Sequence, residues 1–280
     1  MLPLGTRRCS VTVLAFLVAC SEYSVKPTAD VAVSPETDTD TDADTDSDTD
    51  TDTDTDTDTD TDTTTTPVAD ALVYANTSGE LFEIEPQTGA RTSVGTFTYG
   101  GAPVDNMVDI AIDLQGRMYG GTFDALYRID PTDASLTKVC DTDLRPYALA
   151  FTSTGVLFAG AAEDVVEVDL SDCSTRALLT GSVWTTSGDL VGLPDGWLYW
   201  TVRGPSSDEL VRVDPDDGRT QWVGEIASAR LYGLGYDDGV LFGFSADGEI
   251  VGIDPSTGAT NALVSDGTAW WGATTNPVQW

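Results

Sequence analysis

One phrase returns five times along this chain and restricts what it can fold into. It is a strand-like apolar run, an acidic residue, usually a proline, and then a short polar turn. The copies read Leu81-Phe82-Glu83-Ile84-Glu85-Pro86, Leu126-Tyr127-Arg128-Ile129-Asp130-Pro131, Val165-Val166-Glu167-Val168-Asp169-Leu170, Leu210-Val211-Arg212-Val213-Asp214-Pro215 and Ile250-Val251-Gly252-Ile253-Asp254-Pro255. Successive closing acidic residues are 45, 39, 45 and 40 positions apart. That period accommodates four short strands, the content of one propeller blade.

The flanks of each phrase repeat as well. A short apolar strand precedes it, at 117–122, 156–161, 197–203 and 240–246, and an inner strand precedes that, at 107–113, 147–152, 189–193 and 232–237. An outer strand follows, as at 136–140 and 221–224. Alternation has period two, β-branched and aromatic residues dominate, and Asp, Gly and Pro hold the turns. The first repeat, with strands at 71–77, 81–86 and 91–96, lacks an inner strand, while the C-terminal Ala269-Trp270-Trp271-Gly272-Ala273-Thr274-Thr275-Asn276 lacks a blade. The expected fold is therefore all-β: a five-bladed β-propeller over residues 68–280, closed by the C-terminal strand joining the first blade. Closure removes free sheet edges. The closing Asp and the following Pro read as turn formers and receive no chemistry.

The acidic-Pro phrase resembles secreted bacterial propellers of the NHL/YVTN/quinoprotein-like group, from about residue 71 to the end. The resemblance implies the fold. It does not imply an activity, because propellers host lectins, enzymes and docking platforms.

Ahead of the repeats lie two segments of other kinds. Arg7 and Arg8 precede an apolar run at 11–19, too short to span a bilayer, which ends in Leu17-Val18-Ala19-Cys20. This resembles a bacterial lipobox. The resemblance implies a signal peptide at 1–19, lipidation of Cys20 by more than one acyl chain, and stable anchoring. Ser21 after the cysteine points to the outer membrane or cell surface as the address. Residues 20–67 read as a stalk. Between 37 and 62, thirteen Asp residues alternate almost perfectly with Thr. Such a segment cannot bury enough surface to offset its ordering entropy, and like charges about 7 Å apart extend it. Calcium binding is the alternative, yet the Gly and terminal Glu of an EF-hand loop are missing. The threonines also leave O-glycosylation open.

From Val68 onward there are 31 acidic and 10 basic residues, and the chain contains no histidine. This composition excludes nucleic acid as a partner and argues against adhesion to anionic headgroups. It also removes the commonest general base and zinc ligand. No metal or cofactor is expected. Cys140 and Cys173 remain after Cys9 leaves with the signal and Cys20 is lipidated, and either a disulfide or two thiols fits.

Ligands of propellers meet the channel mouth, where the inner strands begin. Aligning those strands gives a ring of Val108, Tyr147, Gly188, Tyr232 and Trp271. Two residues earlier stand Asn106, Arg145, Thr186, Arg230 and Ala269, on the same side if strand alternation persists. Candidate ligand-binding residues are accordingly Arg145, Tyr147, Arg230, Tyr232 and Trp271, with Tyr99 and Trp184 in nearby loops. The partner would be an extracytoplasmic glycan, peptide or envelope protein, bound by a monomer. The alternative is a propeller enzyme of glutaminyl-cyclase-like or lactonase/lyase-like type, using Asp109 and Asp189 in the channel. With no His and no nucleophile–base pair, no catalytic residue is assigned and binding is favoured.

Overall fold

The computed structural model describes residues 67–280. The leader, Cys20 and the stalk up to residue 66 lie outside the described residues.

Five four-stranded antiparallel sheets form the expected ring of blades. The inner strands are Gly272–Thr275, Asp109–Ile112, Ala148–Phe151, Thr186–Gly192 and Leu231–Asp237. The recurrent phrase supplies the third strand of each blade: Glu80–Glu85, Ala125–Ile129, Asp164–Val168, Asp208–Val213 and Glu249–Ile253. The C-terminal strand closes the first blade, with Val73 opposite Thr275 and Asn76 opposite Gly272.

The phrase determines local shape in two ways. Its closing carboxylate starts the turn: Asp130, Asp169, Asp214 and Asp254 each accept the amide two residues on, at 2.8–3.1 Å. Their carbonyls accept the amide four residues on, from Ala134, Cys173, Gly218 and Gly258, which all sit at positive φ. Further, every third-to-outer strand pairing carries a bulge at the same place, the second apolar residue of the phrase (Leu81/Phe82, Leu126/Tyr127, Val165/Val166, Leu210/Val211, Ile250/Val251). A bulge strengthens right-handed twist, which a blade needs to fan outward.

Blade faces are apolar on both sides, so the core consists of inter-blade layers. One layer packs Tyr74 and Leu81 of the first blade on Met107, Ile110 and Met118 of the second. Another seats Trp270 against Phe82 and Phe244, edge-on at 5.6 and 5.7 Å, between first and last blades. A short hairpin, Thr98–Tyr99 with Ala102–Pro103, is inserted between the first two blades and was not expected from the repeat.

The sulfurs of Cys140 and Cys173 are in bonding contact, with Cα atoms 6.3 Å apart and a separation of 33 residues. The pair joins the outer strand of the second blade to the outer turn of the third. Closing a loop of this length restricts the unfolded chain, worth about 3–4 kcal/mol in the loop-entropy model. Replacing both cysteines by serine is expected to lower unfolding free energy by that amount in urea titrations, and reductant is expected to do the same to the wild type alone. Equal midpoints for all three samples would refute the cross-link's contribution.

Candidate ligand site at the channel mouth

The five aligned residues Val108, Tyr147, Gly188, Tyr232 and Trp271 all line one cavity of about 200 Å³. Each blade contributes one of them: Val108, Tyr147 and Trp271 stand immediately before their inner strands, and Gly188 and Tyr232 fall within the register shifts of theirs. The amides of Val108, Tyr147 and Trp271 donate to Gly121, Gly160 and Asn76 of their own blades, at 2.8 Å each. Backbone polarity at the mouth is thereby spent on the sheet, and side chains define the surface. Tyr147 is 47% exposed, with its ring edge-on to Phe123 at 6.1 Å.

Phe123, Ser187 and Arg203 complete the lining. Inner-strand alignment does not find Phe123 and Arg203, since Arg203 ends the neighbouring strand of its blade and Phe123 stands just past the neighbouring strand of its own. Strand register could have found them. Met118 pairs with Ile112 and Leu198 with Gly192 at equivalent places, so Phe123 and Arg203, each five residues on, are equivalent positions of the second and fourth blades. The Arg203 Nε donates to the Thr186 carbonyl at 3.2 Å.

The other expected arginines lie elsewhere. Arg145 and Arg230 do not line this cavity. Their φ values are 49° and 58°, so strand alternation ends before it reaches them and the expected common side with Tyr147 and Tyr232 is lost. Arg230 pairs with Asp247, its Nε donating at 3.0 Å, and Arg145 is exposed with no ion pair among the described residues. Tyr99 packs on Tyr127 at 5.5 Å, and Trp184 donates to Thr220 at 3.3 Å. Neither reaches the mouth.

A second hollow of about 390 Å³ adjoins the first and shares Ser187, Arg203 and Tyr232 with it. Ser206, Ser207, Asp208 and Arg230 make it polar.

Beneath the mouth, Asp109 and Asp189 are fully buried and near enough for the charge of one to act on the other. Asp109 accepts amides from Ile110 at 2.8 Å and Leu149 at 2.6 Å. Asp189 accepts from Leu190 at 2.6 Å and from Leu234. Gly272 permits this close approach, since a Cβ there would stand 2.3 Å from Asp109 Oδ1. Burial pushes both carboxyls well above the usual carboxylate range, and the charge of Asp109 adds to the effect on Asp189. Neighbouring buried carboxyls resist ionising together. No group of three His, Cys, Asp or Glu side chains is placed to hold a metal among the described residues. At the opposite end of the channel, Thr274, Thr275, Pro277 and Trp280 help line a space of only about 10 Å³, enough for about one water. The mouth is the roomier end of the channel.

The first described residues are fastened at the end of the ring away from the mouth. The Ala69 amide donates to Gly116 at 2.8 Å, and its carbonyl accepts from Asn276 Nδ2 at 3.0 Å. Gly116 and Asn276 both follow inner strands, on the side away from the mouth.

No family model matches the chain, and no curated protein is similar to it in sequence. Solved structures do share its fold. A chain in the crystal structure of a nidogen/laminin complex aligns with a TM-score of 0.50 at 13% identity, over 72% of this chain and 97% of that one. A symmetrical protein from a structure on de novo evolutionary emergence gives 0.47 at 19% identity, over 75% and 95%. TolB from Acinetobacter baumannii gives 0.45 at 14%, over 69% and 52%. At 13% identity the likeness to the nidogen/laminin chain is one of fold alone.

Proposed function

We propose that this protein is an exported lipoprotein, anchored through Cys20, whose propeller binds an extracytoplasmic ligand at the channel mouth without transforming it. The observation that carries the reading is the mouth itself: one residue from each blade, with Phe123 and Arg203, converging on a single cup rich in aromatic side chains. Concave, mostly apolar sites with a few placed polar groups are the usual form of a ligand pocket. Two further features support binding over chemistry. The channel carboxyls Asp109 and Asp189 are buried and engaged with backbone amides of the inner strands, a role that holds the ring together. And Ala69, near the start of the described residues, is bonded to Gly116 and Asn276 at the end of the ring away from the mouth.

The test is quantitative binding of the full-length protein to extracytoplasmic glycans, peptides and envelope proteins, compared with Trp271→Ala. Loss of a central aromatic anchor is expected to weaken binding about thirtyfold, from about 2 kcal/mol, with the ligand recovered chemically unchanged. Undiminished binding by Trp271→Ala, or a converted ligand, would overturn the reading. In the same cells Cys20→Ser is expected to leave the membrane fraction, and continued pelleting of an unlipidated variant would remove the anchor from the proposal.

A further inference from the structure

Arg203 is the feature of the mouth that its aromatic side chains do not explain. The propeller carries 31 carboxylates and 10 basic residues, so a cation there has acidic partners in abundance. Six of the ten do form ion pairs: Arg91, Arg117, Lys138, Arg176, Arg219 and Arg230. Arg212 bonds Gln221 and stacks over Trp197 at 4.4 Å, Arg128 is partly buried in its sheet, and Arg145 points to solvent away from the cup. Arg203 alone among the described basic residues lines the aromatic cavity. Its Nε is engaged by the Thr186 carbonyl, which fixes the guanidinium plane, while both Nη groups have no protein acceptor among the described residues. Asp208 lies near enough for its charge to feel Arg203, yet the two form no ion pair. A fixed guanidinium edge with two open donors is the geometry that receives a carboxylate in bidentate fashion.

We propose that the ligand of the mouth is an acidic glycan, with a carboxylated pyranose held by its ring face against Trp271 and Tyr232 and by its carboxylate on Arg203. The inference rests on the binding reading above and names its ligand class. Three observations select a sugar over a peptide. The mouth amides of Val108, Tyr147 and Trp271 are already bonded within their blades, so a peptide main chain finds no ladder to extend. Flat aromatic faces suit a pyranose, whose C–H groups are apolar on one side. The adjoining hollow, entered past Arg203 and Tyr232 and lined by Ser206 and Ser207, offers hydroxyls to the next sugar units.

A matched pair of probes isolates the charge: a galacturonate tetrasaccharide and its fully methyl-esterified counterpart, titrated against the full-length protein in detergent micelles. On the wild type the free acid is expected to bind about ten- to a hundredfold more tightly than the ester, the worth of one charge-assisted contact. Arg203→Gln is expected to bring the acid down to the affinity of the ester without changing the melting temperature, and Arg203→Lys to restore part of the difference. Trp271→Ala is expected to weaken both probes. Equal binding of acid and ester, or a silent Arg203→Gln, overturns the inference while leaving the mouth a binding site. Failure of both sugars beside capture of a peptide with a free C-terminal carboxylate also overturns it, in favour of a peptide. Binding that survives Trp271→Ala would remove the mouth reading and this inference together.

Discussion

Removing residues 270–280 is expected to abolish cooperative folding of the propeller. The segment supplies the inner strand of the first blade, Gly272–Thr275, paired along its whole length with Val73–Asn76. It also brings Trp270, fully buried between Phe82 and Phe244, and Asn276, whose amide group holds the carbonyls of Ala69 and Ala71 at 3.0 and 3.2 Å. Loss of a buried tryptophan alone costs about 3–5 kcal/mol. The strand hydrogen bonds and the contacts of Ala273 add to that, against a total stability of about 5–15 kcal/mol for an ordinary domain. Val73–Asn76 would then be an open edge in the centre of the ring, ready to pair with another chain. The truncated protein is expected to lack a sharp thermal transition and to aggregate on size-exclusion chromatography. A transition within a few degrees of the intact protein would show that the C-terminal strand is a tail and that the ring closes elsewhere.

The closure was legible because it is written in the repeat: a blade missing its first strand at one end and a strand missing its blade at the other. Most of the mouth was legible for the same reason. Tyr147, Tyr232 and Trp271 occupy one register position, and register survives wherever pairing is regular. It fails where the backbone leaves the strand. Arg145 and Arg230 are each two residues ahead of an aromatic, but their left-handed backbones turn the side chains out of the pattern, and non-glycine residues at positive φ are hard to foresee from sequence. Arg203 was missed for the opposite reason. Its register is regular, but it ends the second strand of its blade, which an alignment of inner strands does not include. Tyr99 shows a third kind of failure, since the hairpin that carries it has no counterpart in the other blades.

Replacing Asp109 by leucine is expected to destabilise the ring by about 2–6 kcal/mol. The two channel carboxyls tie neighbouring inner strands. Asp109, in the second blade, accepts the amide of Leu149 in the third and lies against Gly272 of the first, and Asp189, in the fourth, accepts the amide of Leu234 in the fifth. Small neighbours at the same level, Ala148, Gly233 and Gly272, leave the carboxyls room to reach across. Leucine would strand the amides of Ile110 and Leu149 inside the ring, at roughly 1–3 kcal/mol each. The raised carboxyls add a pH signature whose sign follows from linkage. Burial raises these carboxyls above the ordinary aspartate value of 3.8, so above that pH the folded state holds a proton that the unfolded chain releases. The contribution is fully present below the unfolded value and is lost as pH rises through the raised folded value, with a slope of about 1.4 kcal/mol per pH unit for one proton. Asp109→Asn removes one of the two raised carboxyls and turns one amide hydrogen toward a backbone donor. It is therefore expected to be less stable than the wild type at pH 4, with the gap narrowing as pH rises. Subtracting the two urea-titration curves cancels the surface carboxylates, including Asp169 and Asp254, whose values are lowered by their turn hydrogen bonds and which act in the opposite direction. A gap that stays constant from pH 4 to pH 9 would show that the pair holds no proton, and that the ring is tied by the amides alone.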